Sequence, residues 1–133
     1  MLKRILSVVL GLLAAVFTVS IVEAIGHKMF PVNPIDFNDK EALKAFMEAL
    51  PLGALVMVFT AWVLGSFVGG IVTTLIYKEN GFRNSTVIGA IILLFSIINM
   101  LTLPHPTWMW ILSVLLIVPV AIGGNKLVVK FKK

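Results

Sequence analysis

The sequence predicts an all-α integral membrane protein: a four-helix transmembrane bundle with a short amphipathic helix in the loop between helices 1 and 2. Three observations predict it. Of 133 residues, 59% are hydrophobic and 13% charged, against about 25% charged in an ordinary soluble domain, and the mean hydropathy is +1.06. The shortage of charge is concentrated in four uncharged runs, near 5–22, 52–77, 86–103 and 107–125, each of roughly membrane-spanning length. Between the first two runs lies a polar segment with apolar residues at helical spacing. One transmembrane domain covers residues 1–133.

Met1 to Arg4 is a basic start, and Ile5 to Val22 carries no charge over 18 residues. Val22-Glu23-Ala24 loosely resembles a secretory cleavage site. The run nevertheless exceeds the roughly 7–15 residues of a signal-peptide core, so helix 1 is placed at about 5–25. It ends in a polar cluster of Glu23, His27 and Lys28.

The segment 26–51 opens on FPVNPIDF, whose two prolines disfavour helix. Asn38 with Glu41 three residues on has the pattern of a capping box. Leu43, Phe46, Met47 and Leu50 then follow at helical spacing, giving a helix over 39–50. Its charges are mixed (Asp39, Lys40, Glu41, Lys44, Glu48), whereas a helix drawn to anionic lipid is mostly basic. It is expected to lie at the interface or to cap the bundle.

Leu52 to Tyr77 spans 26 uncharged residues. At about 1.5 Å per residue helix 2 overreaches a ~30 Å hydrocarbon core, so tilt or an extension beyond it is expected. KENGFRNS, residues 78–85, reads as a polar turn, and helix 3 as 86–103. Pro104-His105-Pro106 makes a helix-breaking corner before helix 4, residues 107–125. Pro119 is expected to kink that helix, with Lys126 to Lys133 a basic tail.

Charge placement sets the expected orientation. Eight of the 11 Lys and Arg (Lys3, Arg4, Lys78, Arg83, Lys126, Lys130, Lys132, Lys133) lie on one side, and Lys28, Lys40 and Lys44 on the other. The positive-inside bias puts both termini in the cytoplasm and 26–51 outside. Anionic headgroups account for the net charge of +5, so lipid rather than nucleic acid is the expected partner. Zero cysteines exclude disulfides and thiolate chemistry.

The packing centre is AWVLGSFVGG in helix 2. Ala61, Gly65 and Gly69 fall four apart on one face with Gly70 beside them, a small-residue stripe that lets another helix approach backbone to backbone. Gly11 and Ala15 of helix 1 offer a matching smooth face. The spacing does not say whether the partner helix belongs to the same chain. Thr60, Ser66, Thr73, Thr74, Ser96 and Ser113 add hydroxyls that either bond across helices or satisfy themselves on their own helix.

Glu23 and His27 share a helix face, with His105 in the 104–106 corner on the same side and Asn99 somewhat deeper. The ordinary reading has Glu23 and His27 at headgroup level, pairing with each other or with Lys28. The alternatives are proton or ligand handling, since His titrates near neutrality and intramembrane acids mark relays, and a metal held by three such ligands. No metal or other cofactor is assigned. Trp62, about ten residues into helix 2, either fills space opposite the glycines or stacks on a substrate.

No Gly-rich phosphate loop, HExxH or readable Ser-His-Asp arrangement is present. With EAIGHKMFP closing helix 1, AWVLGSFVGG in helix 2 and LPHPTWMWIL opening helix 4, the chain resembles a group of small four-helix bacterial inner-membrane proteins without an assigned activity. That resemblance implies a plasma-membrane setting and transfers no catalytic residue. The chain departs from small multidrug exporters, which carry a glutamate within helix 1 rather than at its outer end. Two functions follow as expectations: a non-enzymatic accessory or structural subunit of a larger membrane complex, or a homo-oligomeric small transporter or channel coupled to protons through Glu23. A metal-dependent enzyme on the outer face ranks third.

Overall fold

The computed structural model describes residues 1–31, 36 and 38–131. Among them every regular element is helical. The order is α1 (Leu2–Met29), α2 (Lys40–Ala49), α3 (Leu52–Ile76), a 3-10 turn (Lys78–Asn80), α4 (Gly81–Thr102) and α5 (Thr107–Phe131). Four of these helices are long and apolar enough to cross a membrane. Residues 32–35 and 37, which hold most of the FPVNPIDF stretch between α1 and α2, lie outside the described residues.

Three boundaries differ from the sequence reading. α4 starts at Gly81, not 86, because FRNS places Asn84 and Ser85 on the buried face of a first helical turn instead of in a loop. α5 continues through 126–131. The described part of the basic tail is therefore helical, with Lys126 and Lys130 exposed while Val128 is buried. α1 is longer at both ends and takes in His27 and Lys28. The cap of α2 also moves by one residue. Asp39, not Asn38, accepts from the Glu41 and Ala42 amides at 3.0 and 3.2 Å, since Asp39 is the extended residue directly before the first helical turn, where those orphan N–H groups point. Asn38 instead donates its amide to Asp36. Pro119 does not break α5, which runs on through it.

α3 is the hub and packs against α1, α4 and α5, while α4 lies along α5 and touches α1. Only 17% of α1's apolar window is buried, against 39% of α3's. Small residues explain the hub. A Cβ on Gly65 would lie 2.5 Å from Val19 and 3.0 Å from the Ala15 carbonyl oxygen, and one on Gly69 would lie 3.1 Å from the Gly11 carbonyl oxygen. Those two glycines face α1, antiparallel to α3, and Ala61 one turn earlier is fully buried. Gly70 faces the other way, where a Cβ would run into the Ala121 carbonyl of α5, and Gly124 returns the contact against Phe67 and Ile71. The stripe is occupied within the chain on both sides.

Hydroxyls and amides then join the helices near the chain termini. Asn84 donates to Ser7 Oγ at 2.8 Å and accepts from Arg4 Nε at 3.2 Å, while Thr73 donates to Ser7 at 3.3 Å. Thr74 bonds the Gly70 carbonyl on its own helix and reaches Asn125. Ser66 donates to the Ile117 carbonyl at 2.8 Å. Ser96 bonds back to Leu93 on its own helix, and Ser113 Oγ is buried without a partner. Where no water competes, such bonds are the polar means of holding helices together.

Candidate functional site

The opposite end of the bundle holds the candidate site. α1 carries Glu23 and His27 there, one turn apart, before ending at Met29, where the Phe30 amide bonds to the Gly26 carbonyl. α3 begins beside them at Leu52, and the α4–α5 corner brings in His105. α2 lies across this end on its apolar face: Leu43 and Met47 are buried and Phe46 and Leu50 half-buried, with Met47 joining the core that contains Leu55 and Trp62. Gly53 gives Phe30 room to lie on α3, since a Cβ there would meet the Phe30 ring.

Between these elements is a cavity of ≈ 230 Å³ lined by Glu23, His27, Asn99 and His105, with Phe30, Phe46, Met57 and Val58 among its apolar walls. All four polar residues singled out in the sequence border this one space. Asn99 is exposed and Glu23 and His105 are half-buried. His105 Nδ1 lies 2.7 Å from the Leu103 carbonyl oxygen. A carbonyl only accepts, so Nδ1 carries the proton and Nε2 of the neutral ring is left as an acceptor. Burial lowers the His105 pKa from its ordinary value, and the bond to Leu103 partly opposes this.

Glu23 has a charge interaction with His27. Neither His27 nor Lys28 reaches ion-pair distance of it, so the mutual pairing expected at the headgroup level is not formed among the described residues. Among those residues, too, no three His, Asp or Glu side chains gather closely enough to hold a metal ion. Glu23, His27 and His105 share the cavity without forming such a set.

No family model, curated protein or solved structure matches this chain.

Trp62 does not line the cavity. It is 6% exposed and lies behind the wall, its ring centroid 6.1 Å from that of His105 at an interplanar angle of 44°. Its place is that of a packing residue which also supports the His105 ring. Phe59 and Trp108 make an edge-to-face pair nearby, 6.1 Å apart.

Two features escaped the sequence reading. The apolar wall drawn from α2 and α3 needed the docking of α2 to appear. The terminal-end network of Arg4, Ser7, Thr73 and Asn84 was hidden because residues 78–85 read as a turn. Its signal is nonetheless present: Gly81, Ser85 and Gly89 fall four apart, and all three are buried.

Proposed function

We propose that this chain is a non-enzymatic accessory or structural subunit of a larger assembly in the bacterial inner membrane, with both termini cytoplasmic. The supporting observation is the packed middle of the bundle. Ala15, Trp62, Ile88, Met109, Ile117 and Ala121 are each at most 6% exposed there, and the close glycine contacts leave the interior of a single chain to packing. The outer surface carries large apolar side chains such as Leu13, Phe17 and Phe95, 60%, 68% and 60% exposed. In a bilayer these meet lipid or another subunit. Because Gly65, Gly69 and Gly70 are engaged inside the chain, a partner would dock on these outer faces rather than on the stripe. The test is purification from native membranes through a C-terminal tag in mild detergent, with mass and composition determined together. A stoichiometric foreign subunit is expected; a clean monomer overturns the reading.

The convergence of Glu23, His27, Asn99 and His105 on one cavity favours a second reading, a homo-oligomeric transporter using Glu23. It predicts a homo-oligomer in the same purification and a pH-dependent flux that Glu23→Gln abolishes. Normal flux through that variant removes proton coupling at Glu23.

A further inference from the structure

We propose that the cavity at the α2 end of the bundle is a binding site for a small amphipathic cation, a primary ammonium carried on a short hydrocarbon chain. The inference concerns equilibrium binding, and it stands whether the chain is a subunit or a transporter.

Four polar side chains line the cavity: Glu23 and His105 present acceptors to it, and His27 and Asn99 carry N–H donors as well. Glu23 offers a carboxylate that receives no hydrogen bond among the described residues. His105 Nδ1 is committed to the Leu103 carbonyl, so that ring has only its Nε2 lone pair to offer. Asn99 adds an amide oxygen. A half-buried carboxylate that receives no hydrogen bond is costly, and a ligand that brings N–H donors and positive charge lowers that cost. A primary ammonium has three donors and no acceptor, the complement of this set. An anionic ligand would be repelled by the Glu23 carboxylate.

The remaining wall sets the rest of the ligand. Phe46 and Met47 from α2, with Leu55, Met57 and Val58 from α3, form one apolar side. Methionine and aromatic side chains adapt to hydrocarbon of varied shape. The volume, ≈ 230 Å³, falls below the roughly 300–1,000 Å³ usual for drug-sized ligands, which points to a chain of a few carbons or the head end of a longer molecule. The site lies where helices α1 and α4 end, at the level at which an amphiphile's head and tail separate. Two sources share this chemistry: a water-soluble alkylamine and the amine headgroup of a bilayer phospholipid.

The test uses the full chain in nanodiscs of phosphatidylcholine and phosphatidylglycerol, which lack primary amines. Calorimetric titrations with n-octylamine, n-octanol and octanoate are corrected against empty nanodiscs. Octylamine is expected to bind at least about tenfold more tightly than octanol, the lower end of what a charge-assisted hydrogen bond contributes, and octanoate more weakly than either. Glu23→Gln is expected to lose that preference while leaving octanol binding in place. Ala54→Leu, which fills the cavity without touching its polar groups, is expected to weaken both. Equal binding of octylamine and octanol by the unmodified protein overturns the proposal, and needs no variant to fold. An unchanged preference in a folded Glu23→Gln protein also overturns it. Competition by added phosphatidylethanolamine would identify the lipid headgroup as the source, and its absence a soluble amine; both results uphold the site.

Discussion

Gly123 and Gly124 are neighbours in α5 and indistinguishable by composition, yet the structure assigns them opposite roles. A Cβ at Gly123 meets nothing within 4 Å, whereas one at Gly124 would lie 2.5 Å from the Phe67 carbonyl oxygen, 2.9 Å from the Ile71 amide nitrogen and 3.2 Å from the Gly70 carbonyl carbon. All three are backbone atoms of α3, so no rotamer change relieves the clash. Ordinary contact begins at 3.4 Å, and 3.4 minus 2.5 leaves α3 and α5 to part by about 1 Å, a gap that forfeits a quarter to a half of the local dispersion attraction. The 2.8 Å bond from Ser66 to the Ile117 carbonyl, between the same helices, is stretched with it. Overpacking of this kind costs about 1–3 kcal/mol. Helix propensity does not offset it as it would in water, because in a bilayer the separated helices remain helical. Gly124→Ala should therefore destabilise by about 1–3 kcal/mol, and Gly123→Ala should stay within about 0.5 kcal/mol of the parent. Reversible SDS unfolding in mixed micelles, followed by circular dichroism and tryptophan fluorescence, measures both. Equal effects of the two alanines, or a Gly124→Ala protein as stable as the parent, would refute the close α3–α5 contact.

Four further outcomes follow from the same packing. Ser7→Ala removes the acceptor of Asn84 Nδ2 and of Thr73, leaving a fully buried amide donor unpaired, and should cost about 1–3 kcal/mol in the same unfolding assay. Ser113→Ala deletes a buried hydroxyl that has no partner and should leave stability unchanged or slightly raised. Asp39→Ala removes the side-chain cap of α2 and should cost about 1 kcal/mol of that helix, seen as faster amide exchange over 40–49 with the four long helices unaffected. For His105, burial depresses the folded-state pKa below the ordinary 6.5 of a histidine. The unfolded chain then takes up a proton first as pH falls, so stability holds above that value and declines from about pH 6.5 down through the folded pKa. His105→Asn should flatten the decline, and an unaltered pH profile in that variant would exclude His105 as its source.

Particular residues show how far sequence reasoning reaches here. The Ala61, Gly65, Gly69 stripe was legible because close helix approach in lipid requires small side chains at four-residue spacing, and Gly11 and Ala15 of α1 fill the part their sizes suggested. Glu23, His27, Asn99 and His105 were legible as a polar set because so few polar residues stand in or beside the apolar runs. Asn84 was not, because a short run of Lys, Glu, Asn, Gly and Arg looks like a turn until Ser7, 77 positions away, supplies a partner for its amide. The cap of α2 was misplaced by one residue for a related reason: Asn38 and Asp39 are both competent caps, and backbone geometry chooses between them.

The sequence by itself determined the number, order and approximate length of the long helices. Uncharged runs of 18 to 26 residues have few other ways to satisfy their backbone groups away from water. It also determined which helix could serve as the hub, since only 61–70 concentrates small residues on adjoining faces. The tertiary structure alone decided that Gly65 and Gly69 meet α1 while Gly70 meets α5, that α2 folds its apolar face across one end, and that four scattered polar residues border a single cavity. Helices apolar on every side carry no amphipathic stripe to say which face turns inward. Their pairing is settled by shape and by a few long-range hydrogen bonds, and those exist only once the chain has folded.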